Sequence, residues 1–135
     1  MKELVVKSLT DNLESVLRFV DSELEDCGCS PKTMIQIDIA VEELFVNIAH
    51  YAYGSDTGPA TIRVERSEDP CAVTITFIDC GMPYDPLAKP DPDTTLSVEE
   101  REIGGLGIFM VKKSMDDMTY EYRDGKNILT IKKNL

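Results

Sequence analysis

Tryptophan is absent from this 135-residue chain, and histidine occurs once, at His50. Ser-His-Asp or Cys-His chemistry would rest on that one side chain, and nothing near it in sequence favours such a site. No apolar run approaches the roughly 20 residues of a membrane span. The opening MKELVVKSLT holds only three apolar residues between Glu3 and Lys7, too few for a signal-peptide core. A cytoplasmic protein without a membrane partner is expected. Basic residues are also scarce: 14 Lys and Arg stand against 25 Asp and Glu, a net charge of −11. The basic stripe of a nucleic-acid binder is missing, so no direct nucleic-acid partner is expected. A nucleotide ligand is not excluded, because backbone dipoles and Mg²⁺ can offset local acidity. Four cysteines are present, Cys27 and Cys29 as a C-x-C pair with Cys71 and Cys80 scattered. No second pair or His cluster completes a zinc site, and reduced thiols are expected.

The chain has an apolar share of 42% and a charged share of 29%, enough to build a core and keep it soluble. One domain over residues 1–135 is expected. Residues 3–8 read as a strand. Thr10 or Asp11 caps a helix to about Asp26, with Leu13, Val16, Leu17, Val20 and Leu24 on one face. Ser30 and Pro31 open a second helix that runs to about Tyr53, where Gly54 stops it. Strands follow at 60–68 and 71–78. A proline- and aspartate-rich loop spans 80–103, a third helix runs from 106 to about 116, and strands at 118–123 and 127–133 turn at Asp124-Gly125. The order predicts an α/β two-layer sandwich, in which a mainly antiparallel mixed sheet is covered on one face by three helices.

Three segments carry chemistry. On the second helix two apolar arcs, one containing Ile37, Val41 and Leu44 and the other Ile35, Ile39 and Val46, flank a narrow stripe of Gln36, Ala40, Glu43, Asn47 and His50. Glu43 and Asn47 stand one turn apart, about 6 Å along the axis. Either they sit in solvent at a groove edge, or they hold a partner such as Mg²⁺, which accepts one or two protein oxygens beside water and phosphate. After the strand ending at Ile78 comes Asp79-Cys80-Gly81-Met82-Pro83-Tyr84-Asp85-Pro86. It is either a plain Asp-x-Gly turn or a place where a carboxylate accepts from an exocyclic amine while a base lies against Gly81. The third segment, Gly104-Gly105-Leu106-Gly107-Ile108, opens a helix, where backbone N–H groups favour an anion. It lacks the Lys-Ser or Lys-Thr of a P-loop, and Met110 stands where a dinucleotide fingerprint needs its third glycine.

In this order the three segments resemble the GHKL ATPase superfamily with its Bergerat nucleotide-binding fold, over about residues 3 to 133. "AVEELFVNIAHYAY", "DCGMPYDP" and "GGLGIFMVKKSMDDMTYEY" are similar to the three boxes of its anti-sigma-factor serine/threonine kinase branch. The resemblance implies ATP and Mg²⁺ as cofactors. It makes Glu43 the catalytic base and Asn47 the Mg²⁺ ligand. Asp79 would bind the adenine amine above Gly81, and a lid would span about 86–103. Nucleotide binding extends to Asp85, Gly104, Gly105, Leu106, Gly107 and Ile108, while Lys89 and Arg101 either touch phosphate or are solvated lid charges. Relatives carry a threonine pair just before the last strand; here the stretch is Gly125-Lys126-Asn127-Ile128-Leu129-Thr130. The implied activity is phosphorylation of a serine or threonine on an anti-sigma-factor antagonist in a partner switch, with a sigma factor as a further partner and a homodimer through the 3–8 edge. Two other readings stand beside it: a module that binds a partner according to ATP or ADP without transferring phosphate, and a structural domain without nucleotide.

Overall fold

The computed structural model describes residues 1–68, 71–88 and 105–135, with backbone alone at 105 and 106. The elements are β1 (Lys2–Lys7), a 3₁₀ turn (Thr10–Asn12), α1 (Leu13–Asp26), α2 (Pro31–Tyr51), β2 (Pro59–Glu68), β3 (Cys71–Asp79), a second 3₁₀ turn (Pro86–Ala88), α3 (Gly105–Ser114), β4 (Asp117–Arg123) and β5 (Lys126–Asn134). The strands form one sheet in the order β1-β2-β3-β5-β4. Every described pairing is antiparallel, and no parallel pair occurs among the described residues. The expected α/β sandwich of a five-stranded sheet and three helices is present.

Alternation along the strands makes the two layers. Ile62 and Val64 of β2, Val73, Ile75 and Phe77 of β3, and Leu129 and Ile131 of β5 are buried. Against them pack Val16, Val20 and Leu24 of α1, Ile37, Val41, Leu44 and Phe45 of α2, and Ile108 and Val111 of α3. The i, i+4 spacing of Val16, Val20 and Leu24 gives α1 one continuous stripe toward the core.

Helix boundaries follow local hydrogen bonds. Ser30 Oγ accepts from Thr33 N at 3.2 Å with Pro31 in the first turn, so α2 starts where Ser-Pro predicts. The start of α1 differs from expectation. Thr10 and Asp11 do not cap it but form the 3₁₀ turn, in which Asn12 N donates to Leu9 O at 2.9 Å and Asn12 Nδ2 to Lys7 O at 2.9 Å. α1 therefore starts at Leu13 behind Asn12, with no side chain capping its first turn. On α2 the second arc is not buried throughout: Ile35 and Ile39 are 60% and 57% exposed. The β4–β5 turn places both Asp124 and Gly125 at positive φ, 55° and 76°, the conformation that Asp-Gly favours in a tight hairpin.

The topology decides where a site can form. β3 is the central strand, and its last residue, Asp79, lies opposite Asn127 of β5 and Ala60 of β2. The C-terminal end of α2 reaches the same end of the sheet, since Met82 N donates to Ala52 O at 2.8 Å.

Candidate active site

Asp79 is 6% exposed and Asn127 5%; with Ser8 they are the buried polar side chains of the described chain. Burying a carboxylate requires donors, and two converge on its Oδ1: Asn127 Nδ2 at 2.8 Å and Gly81 N at 2.9 Å. Asn127 also donates to Met82 O at 2.8 Å. Its Oδ1 accepts from Tyr84 N at 3.1 Å and from the Tyr120 hydroxyl. One amide therefore ties the end of β3, the segment after it and β4 together. Burial raises the Tyr120 phenol above its ordinary pKa; the bond to Tyr84 lowers it, while the charges of Asp85 and Asp79 raise it further.

A second phenol holds the other side. Tyr53 donates to Pro59 O at 2.6 Å and accepts from Cys80 N at 2.8 Å. Its ring fills the space a Gly58 side chain would need, with Tyr53 Cε1 2.3 Å from an ideal Cβ. Gly81 is required for a similar reason: a Cβ there would stand 2.1 Å from Ala52 O. The missing side chain makes room for the end of α2, which was not the expected reason for this glycine.

Between these supports lies a pocket. Leu44 and Ile48 of α2, Phe77 of β3 and Leu129 of β5 form apolar walls, and Tyr84 and Pro86 line its rim. Asn47, Asp79 and Asn127 supply the polar groups. The Tyr84 ring stacks on Tyr51 with centroids 6.3 Å apart. A mostly apolar cleft with a few fixed polar groups is the usual form of a small-molecule site.

Glu43 lies one turn before Asn47 on α2. Its carboxylate rests against the first turn of α3: an ideal Gly107 Cβ would lie 2.2 Å from Oε1 and 2.3 Å from Cδ. Gly107 thus leaves the space that Glu43 occupies. Burial, then the neighbouring Glu42, pushes the Glu43 carboxyl above its ordinary pKa. No cluster of three or more His, Cys, Asp or Glu among the described residues could hold a metal. A divalent ion here would rest on the Asn47 oxygen, with water and phosphate oxygens completing its shell, which suits Mg²⁺.

The expected site residues thus divide. Glu43, Asn47, Asp79 and Gly81 sit along α2 and the end of β3, and Gly107 meets Glu43. Gly105 and Leu106 belong to the first turn of α3. Ile108 directs its side chain into the core, which leaves only its backbone for a ligand. Asp85 faces its own turn, where Oδ1 accepts from Leu87 N at 2.8 Å. Gly104, Lys89, Arg101 and the lid beyond Ala88 lie outside the described residues. Asn127, Tyr84 and Tyr120 were not anticipated. One signal was available for Asn127: it occupies a core-facing position in phase with Leu129 and Ile131, where an amide needs partners.

The model of the histidine kinase-like ATPase domain family matches residues 6–133. The chain belongs to that family. Within the GHKL superfamily it falls in the anti-sigma-factor kinase branch. It is 26% identical to the serine/threonine-protein kinase BtrW of Bordetella bronchiseptica over 102 residues, covering 76% of this chain and 71% of that one. It is 29% identical to the serine-protein kinase RsbW of Listeria monocytogenes over 110 residues, covering 78% and 69%. Among solved structures, the RsbU and RsbW domains of Rv1364c from Mycobacterium tuberculosis align with a TM-score of 0.69 at 15% identity, covering all of this chain and 33% of that one. The SiaB–SiaC complex of Pseudomonas aeruginosa aligns with a TM-score of 0.61 at 17% identity, covering 98% and 89%. At those identities the structures bear on the fold. Among the described residues no helix of this histidine kinase-like ATPase domain is long and apolar enough to cross a membrane.

Proposed function

We propose that residues 1–135 form one ATP-binding domain that transfers the γ-phosphoryl group of ATP to a serine or threonine hydroxyl of an antagonist protein. The observation that carries this reading is the placement of Glu43 against Gly107, which brings a carboxylate to the helix start where phosphate is expected. The names of the relatives support the reaction class, and the SiaB–SiaC complex supports a protein as the kind of partner.

Each residue then has a physical task. Asp79, held by Asn127 and Gly81, accepts from the exocyclic amine of adenine while the apolar walls cover the ring. Asn47 offers one oxygen to Mg²⁺, which when bound neutralises phosphate charge. The free N–H groups of the first turn of α3, from Gly105 to Gly107, face the anion. Glu43 accepts the hydroxyl proton as the new P–O bond forms and the bond from the γ-phosphorus to the β,γ-bridging oxygen breaks to release ADP, and its raised pKa strengthens it as a proton acceptor. In a partner switch, phosphorylation would release the antagonist, leaving the kinase free for a second partner such as a sigma factor. A second copy meeting the open β1 edge, where Val5 is 58% exposed, would make a homodimer. Chemistry that draws on ATP and a protein partner suits the cytoplasm.

The test is phosphotransfer from labelled ATP to purified antagonist proteins of the small anti-sigma-antagonist type. Transfer by the native chain, lost at least about a hundredfold in Glu43→Gln with ATP binding retained, is the expected result. Full-rate transfer by Glu43→Gln removes the role of the base. Nucleotide binding with no transfer by the native chain returns the reading of an ATP/ADP-dependent binding module.

A further inference from the structure

Around Asp79 the hydrogen-bond donors are all accounted for. After β3 the backbone N–H groups from Cys80 to Tyr84 belong to Cys80, Gly81, Met82 and Tyr84, since Pro83 has none. Each is taken by the protein. Cys80 N donates to the Tyr53 hydroxyl at 2.8 Å, Gly81 N to Asp79 Oδ1 at 2.9 Å, Met82 N to Ala52 O at 2.8 Å and Tyr84 N to Asn127 Oδ1 at 3.1 Å. The segment that wraps this end of the pocket therefore keeps no N–H for a ligand.

Asn127 is spent in the same way. An amide side chain has two N–H donors and two acceptor lone pairs. Here Nδ2 donates to Asp79 Oδ1 and to Met82 O, both at 2.8 Å, with Gly81 O at 3.5 Å. Oδ1 accepts from Tyr84 N and from the Tyr120 hydroxyl. These partners fix the orientation of the amide, because the Met82 carbonyl can only accept and the Tyr84 N–H can only donate. The Tyr120 proton is committed too, since the oxygen it meets has none to give. Asp79 is left with one outlet. Both of its donors fall on Oδ1, no described residue bonds Oδ2, and the side chain lines the pocket. Asn47, a further amide of the pocket, stands on α2 one turn from Glu43, whose carboxylate meets the start of α3.

We propose that base selection in this pocket rests on a single acceptor, Asp79 Oδ2, which Asn127 positions, so that the site reads the exocyclic amine at position 6 of a purine and leaves ring nitrogen N1 unread. The inference rests on the nucleotide-binding reading above and adds which part of the base is recognised. N1 carries a lone pair and needs a donor. The described groups around Asp79 are acceptors or donors already used, so putting C–H in place of N1 removes no bond. Removing the amine takes away the one donor that the base offers to Asp79 Oδ2, in a charge-assisted bond. Asn127 acts on the carboxylate and not on the base. Its hold on Oδ1 keeps Oδ2 turned to the pocket, which makes it a positioning residue.

The experiment titrates three nucleotides into the full native chain with Mg²⁺ by calorimetry: ATP, 1-deaza-ATP with C–H in place of N1, and purine riboside triphosphate, which lacks the amine. 1-deaza-ATP is expected to bind within about threefold of ATP, and purine riboside triphosphate at least about tenfold more weakly. Asn127→Ala should narrow the ratio between ATP and purine riboside triphosphate to less than about threefold, where a merely structural role would weaken all three ligands alike and keep the ratio. Tyr120→Phe removes one bond that orients the amide and keeps the ring, and it should narrow the same ratio partway. A loss of roughly tenfold with 1-deaza-ATP, equal binding of ATP and purine riboside triphosphate, or a ratio unchanged in both variants overturns the proposal while ATP binding stands. Binding of none of the three by the native chain overturns the nucleotide reading and this inference with it.

Discussion

At the residue scale, Asn127 makes the clearest demand on its identity. It donates to Asp79 and Met82 and accepts from Tyr84 and Tyr120. Asn127→Ala leaves a buried carboxylate short of a donor, and a cost of about 1–3 kcal/mol is expected in urea denaturation. Adenine nucleotide affinity should fall with it, because Asp79 loses its fixed orientation. Two glycines separate two kinds of constraint. Gly81→Ala sets a methyl group against the Ala52 carbonyl, which is backbone and cannot move aside, so a loss of roughly 1–3 kcal/mol is expected. Gly107→Ala meets the far end of the Glu43 side chain, which can swing away. Its stability should change by less than about 1 kcal/mol while phosphotransfer collapses. A denaturation curve and a transfer assay on the same two variants check this contrast. Both glycines stood out in the sequence, but only the packing reveals that one makes room for a helix end and the other for a carboxylate.

At the element scale, the α1–α2 junction carries a pH dependence. Asp21 of α1 and Asp38 of α2 face each other, and buried Oδ1 atoms of both lack a hydrogen-bond partner among the described residues. Asp38 is raised to about 7, first by burial and then by the adjacent Asp21 carboxyl. A carboxyl whose pKa is higher folded than unfolded favours the folded state at low pH, and that contribution is lost as pH rises through the folded value. The thermal midpoint of the native chain should therefore fall between pH 6 and pH 8, and Asp38→Asn should flatten that slope and be the more stable protein at pH 8. Scanning calorimetry at the two pH values checks it; an unchanged slope in Asp38→Asn would show that the pair contributes nothing. The element order, the Ser30-Pro31 helix start and the Asp-Gly hairpin were legible because each rests on local chemistry. The 3₁₀ start of α1 was not, since it depends on Asn12 reaching back to Lys7. The Asp21–Asp38 contact was not legible either, because a helical wheel shows each face but not which faces meet.

At the scale of the whole molecule, a net charge of −11 surrounds a pocket proposed to take an anionic nucleotide. Two fields of different range act on that ligand. The attraction of the first turn of α3 and of a bound cation is short, falling off within a helical turn. The repulsion from scattered surface carboxylates is long, and salt removes it first, since the screening length is about 10 Å at 0.1 M. With free Mg²⁺ held constant, nucleotide affinity should therefore rise by roughly two- to fivefold from 20 to 150 mM salt, the opposite of a protein that relies on a basic surface. Calorimetric titration of ATP across that range reads the sign directly. A falling affinity would mean that unscreened local cations dominate, and would turn attention to Lys89 and Arg101. A rising one would leave the backbone of α3 and the Asn47-bound ion as the groups that hold phosphate within an acidic protein.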